Sequence, residues 1–150
     1  MRIVIQRVSE ATVTVDNEIK GKIGCGLMVL VGVETGDKEE DAEWLARKTT
    51  GLRIFNDAQG VMNLSVEQVN GDVLAVSQFT LTASTRKGTR PSYVRAAGHD
   101  PAIYLYEEYC KKVEEKLGKP VGRGVFGADM QVALVNDGPV TIIIDSRLKE

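Results

Sequence analysis

The sequence predicts an α/β protein: one compact domain over residues 1–150, with a mixed, barrel-like β-sheet and two main helices. Three observations lead there. The first third is a succession of short β-branched runs separated by polar or glycine-containing pairs. Two later stretches carry apolar residues at helical spacing, each bounded by start and stop residues. The chain then closes on residues 132–145, two apolar runs around the polar tetrapeptide Asn136-Asp137-Gly138-Pro139.

Taken in order, residues 2–8, 11–15, 18–23 and 27–33 read as strands, broken by Ser9-Glu10, Asp16-Asn17 and Gly24-Cys25-Gly26. Asp37 suits a helix N-cap, with Glu40 as its capping-box partner. Ala42, Leu45, Ala46, Thr49 and Leu52 follow at helical spacing, and Gly51 is a stop signal. Residues 52–55 read as a strand and 56–60 as a turn. The run 73–81 is the next strand, with a polar second half. A loop rich in Arg, Lys, Gly, Ser and Thr spans 82–100. Asp100-Pro101 then opens a second helix, with Asp as N-cap and Pro in the first turn. Ile103, Tyr106, Cys110, Val113 and Leu117 form its inward stripe, and Gly118 and Pro120 end it. Residues 128–135 alternate like a strand.

The tetrapeptide at 136–139 supports two readings. Proline lacks an amide proton and cannot sit in the middle of a central ladder, so the segment is a rigid corner between two strands. It is either a plain hairpin connection or a stiff backbone edge presented to a ligand.

Composition narrows the function classes. The net charge is −2 and the pI about 5.5, where a protein gripping nucleic acid along its backbone carries a basic excess. A nucleic-acid partner would have to be held by a local patch or read at an end. No apolar run approaches the roughly 20 residues of a membrane span. The N-terminus turns polar too early for a signal peptide, so a cytoplasmic location is expected. Cys25 and Cys110 form no CxxC pair and are expected as buried thiols, Cys25 in a strand and Cys110 in a helix.

Several motifs fail on context. Gly122-Arg123-Gly124-Val125-Phe126-Gly127 matches G-x-G-x-x-G, yet it follows a helix and precedes a strand, the reverse of a dinucleotide fingerprint. His99, the sole histidine, reads as a surface turn residue, and no serine sits in G-x-S-x-G. One histidine and two scattered cysteines make no zinc-type constellation; a hard metal held by carboxylates alone stays open, although no spacing suggests one, and no cofactor is expected.

Two signals survive. In Ser77-Gln78-Phe79-Thr80-Leu81-Thr82, hydroxyl and amide groups take over where the apolar run stops. Such a strand end can orient a carbonyl and offer backbone N–H groups to an oxyanion. Beside it, residues 85–95 combine four cations, several hydroxyls and Tyr93, a composition suited to phosphate or a nucleotide end.

Gln6-Arg7-Val8, Ser77-Gln78-Phe79-Thr80-Leu81, Lys87-Gly88-Thr89-Arg90-Pro91-Ser92, Gly127-Ala128-Asp129-Met130 and Asn136-Asp137-Gly138-Pro139-Val140-Thr141 together resemble the D-aminoacyl-tRNA deacylase family. The likeness runs from the first strand to the last. Tyr93 departs from the phenylalanine more usual at its position.

The resemblance implies a homodimer of α/β subunits that hydrolyses the ester between a D-amino acid, or glycine, and the 3′-terminal ribose of tRNA. It implies that Gly138-Pro139 is a Gly-cis-Pro element inserted across the dimer interface, where it rejects L-aminoacyl-tRNA. It assigns catalysis to Ser77, Gln78, Phe79 and Thr80. Substrate binding falls to Gly138, Pro139, Phe126 near the terminal adenosine, and Arg7 behind the corner. Thr80 as nucleophile and assistance by the ribose 2′-hydroxyl both remain open; the lack of an evident base favours the second. An esterase for other acyl esters and a dimeric module that binds an RNA end without chemistry are the competing readings.

Overall fold

Residue pattern decides how each strand is used. Parallel strands covered on both faces are apolar throughout, while strands with one wet face alternate. The computed structural model describes residues 1–150 and contains both kinds. Strands β1 (Arg2–Val15), β2 (Glu18–Ile23), β3 (Gly26–Gly32), β6 (Asp72–Ser77), β7 (Gly122–Arg123) and β8 (Gln131–Asp145) build one mixed sheet. Its order is β2-β1-β3-β6-β7, with β8 on the other side of β1. β1 runs antiparallel to β2, β3 and β8, and β3–β6 and β6–β7 are parallel. A small hairpin, β4 (Phe55–Asn56) with β5 (Met62–Leu64), stands apart.

The sheet curls until β7 approaches β2, with the Arg123 carbonyl 2.9 Å from where a Gly21 Cβ would lie. This makes a nearly closed barrel. Val8, Val13, Met28, Leu74 and Val76 fill its interior. Helices α1 (Glu39–Gly51) and α2 (His99–Leu117) pack on the outer face over the main core, which includes Ile3, Ile5, Leu27, Val29, Leu45, Tyr106, Tyr109 and Val113. The Tyr109 hydroxyl bonds Thr49 at 2.8 Å, tying the helices together where both residues are fully buried.

Several boundaries differ from the sequence expectation. β1 does not break at Ser9-Glu10. That pair lies where β1 changes partners from β3 to β2, with register shifts against β8 on either side of Val8. A partner change exposes polar side chains without a turn, and from sequence the two look alike. The residues 132–145 likewise form no hairpin. Both runs pair with β1, Val132 opposite Val13 and Ile143 opposite Val4, and only residues 137–140 bulge out, opposite the single residue Arg7.

The strand expected over 73–81 ends at Ser77, and Phe79–Thr82 forms a 3-10 turn. Its neighbour β3 stops at Gly32, so no ladder remains to extend it. The strand expected over 52–55 shrinks to Phe55–Asn56, and the one over 128–135 starts at Gln131.

Lys38, not Asp37, precedes α1; its backbone N–H is held by the Asp41 carboxylate at 2.8 Å, and Glu40 has no capping role. Asp37 instead accepts the buried Met1 ammonium at 2.7 Å and Arg147 at 2.8 Å, a long-range pairing invisible in local sequence. α2 begins at His99 after Gly98, which places Pro101 inside the first turn and makes Asp100 a helical residue. Gly118 closes α2 in the left-handed conformation, φ 70°. Cys110 is buried, whereas Cys25 sits exposed at the bend between β2 and β3.

Gly26 is fixed by close approach: a Cβ there would lie 1.9 Å from the Asp72 carbonyl oxygen, where β3 and β6 begin to pair. Gly24, two residues earlier, faces open space. Gly26→Ala should therefore lower unfolding free energy by about 2 kcal/mol or more, and Gly24→Ala by no more than about 0.5 kcal/mol, as read by urea denaturation.

Candidate active site

The apolar residues Val73–Val76 bury β6 completely, and at Ser77 the strand reaches the sheet edge and turns polar. The Gln78 N–H still pairs with the Val31 carbonyl at 2.7 Å, which fixes where the chain leaves the sheet. The 3-10 turn then closes with Leu81 N–H on the Gln78 carbonyl at 3.2 Å. The amides of Phe79 and Thr80 lie ahead of that first bond, and the opening amides of a helical turn have no partner within it.

The Gln78 side-chain amide donates to the Thr80 hydroxyl oxygen at 2.6 Å. The buried Thr82 hydroxyl donates to the Phe79 carbonyl at 2.8 Å. No carboxylate or imidazole hydrogen-bonds to Thr80, so nothing there draws a proton from its hydroxyl.

Ser77, Gln78 and Phe79 border a cavity of about 440 Å³, a size suited to a small ligand. Its far wall is aromatic. The His99 ring stands edge-on to Phe126 with centroids 5.4 Å apart, and Phe126 meets Tyr106 at 5.9 Å. The Tyr106 hydroxyl donates to the Ala75 carbonyl at 2.8 Å, and burial pushes its ionisation far above the usual phenol range. It stays protonated and serves as wall. Asp129 and Met130 complete the rim beside Phe126. No three His, Cys, Asp or Glu side chains are grouped to hold a metal ion.

The structure thus brings Ser77, Gln78, Phe79 and Phe126 to one cavity, with Thr80 on the adjoining turn but outside the lining. Gly138, Pro139 and Arg7 do not line the cavity of the same chain. They form a separate corner, where β8 bulges against Arg7 of β1. Its Gly138–Pro139 peptide is cis. Arg7, only 8 % exposed, donates from Nε to the Asp137 carbonyl at 2.9 Å and from Nη1 to the Ile54 carbonyl at 2.7 Å. The Val140 N–H is held by the Asn136 side chain at 3.1 Å, closing the corner at its other end.

His99 and Tyr106 escape the sequence reading as site residues. The signal was present: His99, Ala102 and Tyr106 stand at i, i+3 and i+7, one face of α2, and all three line the cavity. The basic loop is closed at its neck by paired Ser84 and Ser92, and Tyr93 packs edge-on against Phe79 with centroids 5.1 Å apart. It leaves Arg86, Lys87 and Arg90 exposed beside the turn.

Comparison with known proteins gives this geometry a lineage. A family model described as D-Tyr-tRNA(Tyr) deacylase matches residues 4–145. D-aminoacyl-tRNA deacylases of Parabacteroides distasonis and Porphyromonas gingivalis are each 59% identical over 150 residues, covering 100% of both chains. Among solved structures, a c-Myc DNA unwinding element binding protein superposes with a TM-score of 0.90 at 36% identity, over 97% of this chain and 98% of that one. A probable eukaryotic D-amino acid tRNA deacylase, 19% identical, shares the fold with a TM-score of 0.82 over 95% of this chain and 97% of its own. With the whole length matched and the polar strand end in place at the cavity, the chain belongs to the D-aminoacyl-tRNA deacylase family, enzymes that hydrolyse aminoacyl-tRNA.

Proposed function

We propose that the chain cleaves the ester joining a D-amino acid, or glycine, to the 3′-terminal ribose of tRNA, leaves L-aminoacyl-tRNA intact, and so proofreads chirality in the cytoplasm. The observation that carries the reading is the Ser77–Thr80 strand end, a cluster of hydroxyl, amide and free backbone N–H groups beside the cavity, in which no imidazole or carboxylate bonds the Thr80 hydroxyl; the His99 ring on the far wall pairs with Asp100 at 3.0 Å instead. An ester already carries a competent leaving group, so position and oxyanion stabilisation can supply most of the catalysis.

The Phe79 and Thr80 amides receive the negative charge that develops on the carbonyl oxygen, helped by Ser77 and Gln78. Thr80 is a poor nucleophile here, because the Gln78 amide occupies a lone pair of its hydroxyl oxygen. The neighbouring ribose 2′-hydroxyl assists water in attacking the ester carbon. The ester C–O bond then breaks, and the ribose oxygen leaves with a proton. Phe126, in the aromatic wall, packs near the terminal adenosine, and the exposed cations of the basic loop grip nearby phosphates. A protein of net charge −2 that reads only the acceptor end needs no larger basic surface.

Chirality is read by exclusion. A fixed backbone corner close to the substrate Cα leaves space for hydrogen or a D side chain and collides with an L side chain, whatever its chemistry. Gly138-Pro139, anchored by Arg7 and Asn136, has the required stiffness. It does not line its own chain's cavity, which supports a homodimer in which each subunit lends its corner to the partner. β8 is suited to such a contact. Its second edge is unpaired, and Ile143 on it is 68 % exposed, a combination that invites a two-fold pairing.

Three outcomes test this reading. Incubated with a chelator, the protein should hydrolyse D-tyrosyl-tRNA rapidly and spare L-tyrosyl-tRNA. Equal cleavage of both would refute the corner, and cleavage of neither would favour a binding module. Thr80→Ala should keep measurable turnover, on the order of a tenth of wild type; near-total loss with intact tRNA binding would make Thr80 the nucleophile. Arg7→Ala should narrow the D-to-L rate ratio by about tenfold or more as the corner loses its anchor. Taken from one preparation, that ratio does not depend on the active fraction.

A further inference from the structure

We propose that Arg95 is a positioning residue for ester cleavage, fixing the orientation of the peptide that carries the Thr80 N–H; this rests on the reading of the Phe79–Thr82 turn as the oxyanion site. A helical turn ends in carbonyls without internal partners, and a cation there also complements its dipole. Arg95 meets both needs. Its Nε and Nη2 donate to the Thr82 carbonyl at 3.3 and 3.1 Å, and Nη2 reaches the Ala83 carbonyl at 3.5 Å.

The connection onward is short. The Thr82 hydroxyl, in a fully buried residue, donates to the Phe79 carbonyl at 2.8 Å. That carbonyl and the Thr80 N–H belong to one planar peptide unit, so holding the first sets the direction of the second. Arg95 thereby aims an oxyanion donor from two bonds away without touching substrate.

Two further features hold Arg95 in place. Its carbonyl accepts the Thr35 N–H at 2.9 Å, which ties it to the chain leaving β3. Glu34, buried beside it, has its Oε2 on Arg147 at 3.2 Å, while its Oε1 is buried with no hydrogen-bond donor and lies 3.8 Å from Arg95 Nε. A buried carboxylate oxygen without a donor calls for an explanation. Here it is a negative charge placed behind the guanidinium, orienting the fork toward Thr82. Arg95 also sits two residues from Tyr93, which packs on Phe79, so the basic loop holds the turn at both its ends.

The test is steady-state deacylation of D-tyrosyl-tRNA by wild type, Arg95→Ala and Arg95→Lys, with thermal melts of each. The Arg95 side chain is about half exposed, so its loss opens no core cavity. Arg95→Ala should lower kcat on the order of 10–100-fold with KM within about twofold of wild type, and the protein should still melt cooperatively, about a few degrees lower. Arg95→Lys, which keeps the charge and loses the fork, should recover part of kcat. A wild-type kcat in the alanine variant, a change in KM alone, or a lysine variant no better than alanine would overturn the role of Arg95. An inactive wild type would instead overturn the ester-hydrolase reading, and this inference with it.

Discussion

A guanidinium removed from water must be given acceptors, and the placement of Arg7 governs much of this structure. It lies on β1, the strand that carries β2 and β3 along one edge and β8 along the other. Its side chain passes under the mismatch in which four residues of β8 stand against one of β1, and its donors go to the carbonyls of Asp137 and Ile54. Unsatisfied carbonyls and a bare buried charge would each cost several kcal/mol. The bulge and the arginine therefore require one another. Without Arg7 the corner keeps only its Asn136 contact, and without the corner Arg7 has lost a main partner.

At the end of β6 the same logic makes a polar site from an apolar strand. β6 is sealed on both faces through Val76, and it stops where β3 stops being available as a neighbour. Backbone groups that leave a sheet must be satisfied elsewhere or offered to something else. The tight turn after Gln78 has its carbonyls taken up partly by its own amides and partly by Arg2 and Arg95, and it leaves its first amides open beside the cavity. The open amides of the turn are donors, and Tyr106 in the cavity wall is locked as a protonated donor to Ala75. Such a site suits stabilisation of a developing negative charge better than extraction of a proton.

Legibility in the sequence followed the range of the interactions. Local ones were readable: the α2 stripe through Tyr106, Cys110 and Val113, its glycine stop at Gly118, the buried run 73–76, and the polar residues at its end. Those that depend on a distant partner were not. Asp37 has the residue type and position of an N-cap, yet the buried Met1 ammonium takes it. Ser9-Glu10 has the composition of a turn, yet it marks an exchange of partner strands. Cys25 was expected as a buried thiol and lies on an exposed bend, since which small residues face the core is decided by the neighbouring strands.

The sequence by itself determined the chemistry on offer: Ser77, Gln78 and Thr80 at a strand end, an aromatic at Phe126, a basic loop, and a proline-stiffened corner at 138–139. Alternation and capping are short-range rules, and those features sit within a few residues of the signals that mark them. Only the tertiary structure decided that His99 and Tyr106 share the cavity with Ser77, that Arg7 lies beneath the corner, and that Arg95 reaches the carbonyls of Thr82 and Ala83. It also decided that the corner stands away from its own chain's cavity. Those are pairings across the sheet and between loops, set by the register of β1 against three partners, and no local pattern records a register that arises only when the strands meet.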